Sequence, residues 1–516
     1  MERVRGLWAL RRRPFSPPDA PERLGREEDL TALGLSSDAG RALRHCGWRL
    51  LEPYPEVAKD LEAGYPPPDV PVSLRVYRDP RGLLVLATGR ITVLFGTGVS
   101  PVEAVGRARA AELEFVEYYP WHPCALSLAV PRGRDPVAHA RRISKDLGPD
   151  VLSCRPEFLA YLPPSQTTIQ RSSSYADQWQ WKNIGQLDGA TPGADISAEE
   201  AWTLTRGKGL CVAVLDCGFR WTHKDLVGAV LEHSATVDSG TGDVGIGREK
   251  LPGDDKTDPH GTFCAAMAAA RPAETDRIRG AAPEADLLLV ALELWTSGER
   301  AAKALDYAAF PADYAPPGSP CEGGRGSEVI SLSRKLAMLT LDSHEYVKAE
   351  LGKLADKGRD GRGIPVFYAA PEIKANGSFS GDFATEHAVV TTVGMTNCAD
   401  KAFRQGPNLD YVAPGSMVLT ATSEDDEHAR HVNGTSFAAP VAAGVAALVL
   451  SRRPELTVSE LRRHLRAACE EVGTGNYVNH YDTLECYGHG RLNAASAVAF
   501  PSINLPGCLP WIRRRR

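Results

Sequence analysis

Three side chains in this sequence have the types and settings that nucleophilic catalysis needs. Asp216 follows the apolar run Leu210-Cys211-Val212-Ala213-Val214-Leu215 and precedes Cys217-Gly218, so a strand would deliver its carboxylate to the edge of a sheet. His260 opens the segment HGTFCAAMAAA, whose small residues let a helix lie close against its neighbours. Ser436 stands in HVNGTSFAAPVAAGVAALVL, at the first turn of a long apolar helix, with Pro440 close behind it. There its Oγ is near helix N–H groups that have no intrahelical partner, and near the positive end of the helix dipole. Each residue alone has a plainer reading: a loop or capping carboxylate, a core histidine, an N-cap serine. Together they supply what a serine nucleophile requires, a base to take its proton and a carboxylate to orient that base.

The elements around them must form a covered parallel sheet. Besides 210–215, the runs 287–292, 329–332, 364–368 and 389–393 are almost continuously apolar, as strands buried on both faces are. Helical segments such as 344–357 fall between them, which gives an α/β fold with helices on both sides of a mostly parallel sheet. From Leu74 to Leu162 short strands alternate with helices at 102–113 and 136–147, the pattern of a small α+β domain. The sequence therefore divides into an extension of unassigned role (1–70), a small α+β domain (71–162), an exposed polar linker (163–177), a large α/β domain (178–500) and a tail (501–516). The linker, within LPPSQTTIQRSSSY, is too polar to order itself by burial and is a natural site of cutting.

Composition narrows the partners. The 516 residues are 43% hydrophobic and 24% charged, and a net charge of −6 gives no drive toward nucleic acid, even with Arg513 to Arg516 at the end. Eleven cysteines without CxxC pairs argue against a zinc site and a dense disulfide framework. A short apolar stretch, Gly6 to Leu10, among Arg3, Arg5 and Arg11 to Arg13 does not make a signal peptide. The sequence as written points to the cytoplasm, or to secretion where translation starts upstream, and no run of about 18 apolar residues points to a membrane span.

The three blocks VAVLDCGF, HGTFCAA and NGTSFAAPVAAGVAALV, in the chain order Asp, His, Ser, resemble the subtilisin-like serine peptidase (subtilase) family over about Gln178 to Phe500. Weaker echoes are IRGAAPEADLLLV, LDYVAPG and YGHGRLNAASAV, and Cys264 after HGTF resembles the proteinase K branch. The resemblance implies a subtilisin-like three-layer fold preceded by a propeptide-like domain. It implies a serine endopeptidase acting on polypeptide through Asp216, His260 and Ser436, with an acyl-enzyme intermediate and its own amino-terminal domain as intramolecular inhibitor. No cofactor is required. Calcium for stability is implied by the resemblance, although no acidic loop has assignable ligand spacing.

The family pattern is broken in four places. Pro371 and Glu372 in VFYAAPEI stand where the family has Gly and the Asn that donates to the oxyanion; Asn376 is a substitute donor four residues on. An ionised Glu cannot donate a hydrogen bond and repels an oxyanion, and losing one such donor costs roughly 10²–10³ in turnover. This leaves a second reading, a catalytically impaired peptidase or peptide-binding module. In ISLSRKLA the expected substrate-binding residues are Ser331, Ser333, Arg334 and Lys335, with two cations near the place of the family's glycine, where they would crowd the cleft or select acidic side chains. Phe263 and Cys217 are milder changes.

Overall fold

The computed structural model describes residues 1–499 apart from 12–23, 34, 37–38, 41–42, 44–47, 66–71, 97, 120–123, 162–166, 173–174, 253–259, 275, 294, 317–322, 335–343, 372–386, 403–408, 423–425, 427–428 and 473–486. An antiparallel sheet organises the amino-terminal part. Its strands are β1 (Glu2–Arg11), β2 (Gly25–Glu27), β3 (Trp48–Pro53), β4 (Val72–Arg78), β5 (Leu84–Phe95), β6 (Glu114–Tyr118), β7 (Ala125–Ala129) and β8 (Val151–Tyr161), in the order β8-β5-β4-β1-β3-β2, with β7 on β5 and β6 on β7. Helices α1 (Pro55–Ala63), α2 (Pro101–Ala110) and α3 (Pro136–Asp146) accompany them. Alanines make close packing possible: Ala104 and Ala108 of α2 and Ala140 of α3 share a buried cluster with Ile91, Val93, Leu126 and Leu128 of the sheet.

The expected division between an extension (1–70) and a small domain (71–162) does not match a break in this sheet. β1 lies between β3 and β4, with Ala9 opposite Leu50 on one side and Leu74 on the other. Its arginines hide a strand whose centre is buried on both faces, Leu7 and Ala9 in one apolar cluster, Trp8 and Leu10 in another. The linker also holds more order than its composition suggests. Thr167–Ser172 forms β9, and its backbone joins an existing sheet edge; hydrogen bonds to a ready-made edge need no apolar side chains.

The second body contains β10 (Cys211–Asp216), β11 (Ala235–Val237), β12 (Val244–Ile246), β13 (Asp286–Leu292), β14 (Trp295–Thr296), β15 (Val329–Leu332), β16 (Val366–Ala369), β17 (Val390–Thr396), β18 (Tyr411–Pro414), β19 (Ser416–Ala421), β20 (Ala429–Asn433), β21 (Cys469–Glu470) and β22 (Arg491–Leu492). Its helices are α4 (Ala198–Trp202), α5 (His260–Ala269), α6 (Gly298–Ala309), α7 (His344–Gly361), α8 (Thr435–Arg452), α9 (Val458–Ala467) and α10 (Ala494–Ala499). Ten strands run in the order β12-β11-β13-β10-β15-β16-β17-β18-β22-β21, parallel except for the outermost pair at each end. A separate ribbon places β20 between β19 and β9.

Strand alternation sorts the core into two layers. Val212 and Val214 face α5 and α8, whereas Ala213 and Leu215 face α6 and α7. All of α5 is buried, as is α8 from Thr435 to Leu450. α8 is long and apolar enough to cross a membrane by length and composition, and 89% of it is buried inside the protein. Gly444 sets how closely it packs: a Cβ there would stand 2.6 Å from Ala281 Cβ and 2.9 Å from the Ala268 carbonyl.

Candidate active site

Parallel pairing brings the three chemistry-bearing residues to one end of the sheet. Asp216 ends β10, His260 begins α5, and Ser436 is the second residue of α8, which follows β20 through Gly434. His260 Nδ1 lies 2.8 and 2.9 Å from the two Asp216 carboxylate oxygens, so the ring is held from the side that leaves Nε2 for chemistry. Gly261 makes this approach possible, because a Cβ there would meet the Gly218 carbonyl at 2.6 Å. The Phe437 ring, 5.6 Å from the imidazole centre, packs against His260 from α8.

The start of α8 is pinned by bonds that Pro440 releases. Proline lacks the N–H that would bond the carbonyl four residues earlier, which is that of Ser436. This oxygen accepts instead from Ser333 Oγ at 2.7 Å and Cys264 Sγ at 3.4 Å, while Ser436 Oγ donates to the Ser333 carbonyl at 3.4 Å. Thr435 Oγ1 donates to the Ala370 carbonyl at 2.8 Å, tying the same helix end to the strand that leads toward residue 372. In the first turn of α8 the Phe437 N–H donates to the Gly434 carbonyl at 3.0 Å, while the Ser436 N–H lies beside its own hydroxyl at the positive end of the helix.

Asp216 is fully buried, and burial would raise its pKa, yet its carboxyl is held below the usual range. His260, Arg334 and the Cys217 N–H outweigh desolvation; the last donates at 2.8 Å. Asp216, His260 and Cys264 are, among the described residues, the group of His, Cys, Asp and Glu side chains close enough to share a metal ion. That nitrogen and sulfur set does not suit calcium, which takes oxygen ligands.

The substrate-strand expectations change. Ser331 lies fully buried inside β15, Ser333 is engaged with Ser436, and Arg334 is 1% exposed. Register brings Arg334 near Asp216: Leu215 pairs with Leu332 across β10 and β15, which puts Ser333 beside Asp216 and Arg334 one residue further on, with its Nη1 3.9 Å from Asp216 Oδ1. Lys335, Glu372 and Asn376 lie outside the described residues.

The three residues are covered, with exposures of 0% for Asp216 and His260 and 1% for Ser436. Cys217, next to Asp216, packs into an apolar cluster made by Leu7, Ala9, Trp48, Leu74 and Leu159 of the amino-terminal sheet and Trp295. β8 continues onto the second body, Tyr161 pairing with Trp295 and Ala160 with Thr296 in β14. Around this strand pair the seam is charged. Glu157 accepts from Arg300 Nε at 3.0 Å and Ser297 Oγ at 2.9 Å at the amino end of α6, Lys303 bonds both oxygens of Glu117 at 2.7 Å, and Arg11 reaches Glu293 at 3.0 Å and Asp238 at 3.1 Å. Thr92 donates to Glu299 at 3.2 Å. None of these seam residues had a signal in the sequence, since each charge taken singly resembles a solvated one.

A family model described as the Subtilase family (Peptidase_S8) matches residues 207–490, more than half of the chain. The chain belongs to the subtilase family. Its curated relatives include a calcium-dependent protease of Nostoc sp., 26% identical over 379 residues, a match that covers 67% of this chain and 53% of that protein. The chain thus spans about half the length of that relative. Thermitase of Thermoactinomyces vulgaris is 26% identical over 59% of this chain and 94% of its own length. The solved structure of fervidolysin from Fervidobacterium pennivorans, described as a keratinolytic enzyme related to subtilisin, has a TM-score of 0.57 at 16% identity, covering 80% of this chain and 61% of that one. That likeness supports the subtilisin-like fold.

Proposed function

We propose that this subtilase is a serine endopeptidase that uses Asp216, His260 and Ser436 and is kept latent by its own amino-terminal domain. The observation that carries the reading is the buried pair of contacts from His260 Nδ1 to Asp216, beside a serine at the start of α8. In the reaction, Ser436 Oγ attacks the peptide carbonyl and its proton passes to His260 Nε2. Asp216 supports the imidazolium, which then protonates the leaving amine as the acyl-enzyme forms. Water attacks the ester with His260 again as base, and a carboxylic acid is released. The Ser436 N–H contributes to oxyanion binding. Latency follows from β14, a two-residue strand of the second body that pairs with β8 at the edge of the amino-terminal sheet, and from β8 leading into residues 162–166. Among the described residues no calcium-like oxygen cluster stands out, so calcium enters from the name of the Nostoc relative and not from a site.

Intact mass of the wild type and of Ser436→Ala tests the reading. Loss of the amino-terminal domain from the wild type alone, with a new terminus between Leu162 and Tyr175, supports it. Two full-length, folded proteins without activity on peptide overturn it. The second reading, an impaired catalyst or peptide-binding module, is favoured by Glu372 in the oxyanion position. Under that reading Glu372→Asn raises turnover by roughly 10² or more; unchanged turnover removes it.

A further inference from the structure

Arg334 occupies an unusual place for a guanidinium. It is buried, Nη2 donates to the Glu293 carbonyl at 3.3 Å, and Nη1 stands 3.9 Å from Asp216 Oδ1, the oxygen that His260 Nδ1 approaches at 2.8 Å. One carboxylate thus faces two cation-capable groups, from α5 and from the end of β15. We propose that Arg334 is a positioning residue that draws on the charge of Asp216 and so weakens that carboxylate's support of protonated His260. The inference rests on the peptidase reading above.

Among the described residues, the acidic groups of the seam are engaged elsewhere. The Glu293 carboxylate is engaged by Arg11 from β1 and by Ser239, Asp238 is engaged by Arg11, and Glu157 is engaged by Arg300. Facing Asp216 and His260 from the remaining elements are Cys217, Cys264 and the Phe437 ring. Coulomb interaction falls only as the inverse of distance and is strong away from water, so a cation at 3.9 Å keeps much of the influence of one in contact. When Ser436 gives up its proton, the new imidazolium is therefore held less firmly than it would be beside Asp216 alone.

The test is the rate of covalent labelling of the self-processed protein by a fluorophosphonate across pH. In that reaction the Ser436 Oγ–P bond forms, the P–F bond breaks, the Oγ proton passes to His260 and fluoride leaves. Arg334→Met is expected to label up to about tenfold faster on the plateau, with the acid limb moved to higher pH by up to about one unit. Arg334→Lys keeps the charge and should stay near the wild type. If Met does not fold, Arg334→Gln carries the same expectation. A folded neutral variant with an unmoved limb, or a Lys variant altered as much as Met, overturns the inference; if wild-type labelling still disappears in Ser436→Ala, the peptidase reading survives that failure. Labelling of neither wild type nor Met at any pH overturns both.

Discussion

Two contacts in this molecule differ in kind: the packing of α5 on α8 inside the second body, and the seam between the two bodies. The first is made of alanine, glycine, valine and phenylalanine, with every residue of α5 buried. The second combines an apolar patch at Trp295 and Cys217 with ion pairs at Glu157, Glu117 and Arg11. A core of small apolar groups has no way to come apart in steps. A seam of desolvated charges depends on every partner being present and on the protonation of the medium, as releasable interfaces do.

That contrast can be broken most strongly at Glu157. Its carboxyl is held down to about 2; burial alone would raise it, but Arg300 and Arg90 outweigh burial. Glu157→Ala leaves Arg300 buried without its carboxylate, which should cost about 3–5 kcal/mol of seam stability. Hydrogen exchange at β8 and β14 in a Ser436→Ala background should show the loss, while β10 and α8 stay protected. The next effect comes from Glu299, whose carboxyl is raised to about 7 by burial and then by the nearby charge of Glu157. A raised carboxyl favours the closed seam while it is neutral. The contribution of Glu299 to seam stability is therefore complete below the ordinary value of 4.5 and is lost as pH rises through about 7. At pH near 8, Glu299→Gln should recover about 3 kcal/mol of it and flatten the pH dependence, again read by exchange.

Gly444→Ala reverses the pattern. Its Cβ would sit within 2.6 Å of Ala281 Cβ, so the second body should lose about 1–3 kcal/mol, seen in its urea midpoint, with the seam unaffected. Smallest is Arg11→Ala, on a part-exposed cation, with about 1 kcal/mol lost from the seam and the loss shrinking as salt is added. Equal sensitivity of both contacts to pH and salt would end the comparison.

Much of the second body is legible in the sequence because its strands are unbroken apolar runs and its three candidate site residues sit in distinctive local settings, a strand end, an Ala-rich helix start and a Gly-Thr-Ser turn. What the sequence hides is set by pairing between distant segments. The approach of Arg334 to Asp216 follows from the register of β10 on β15, which no local pattern encodes. β1 carries arginines at its ends and so reads as a charged extension, and β9 owes its order to the backbone of β20. The oxyanion question remains one of sequence, since Glu372 and Asn376 lie outside the described residues.

The two strands flanking residues 162–166 end on different partners. Tyr161 is paired with Trp295, whereas Thr167 is paired with Asn433, three positions before Ser436. While the chain between them is whole, each opening of the seam is a unimolecular event, and reclosure occurs at an effective concentration on the order of millimolar. A single cut in that stretch makes reclosure bimolecular without altering one contact. From then on the lifetime of the covered state depends on dilution: the nicked protein in a concentrated stock remains closed, and the same protein spread thin comes open.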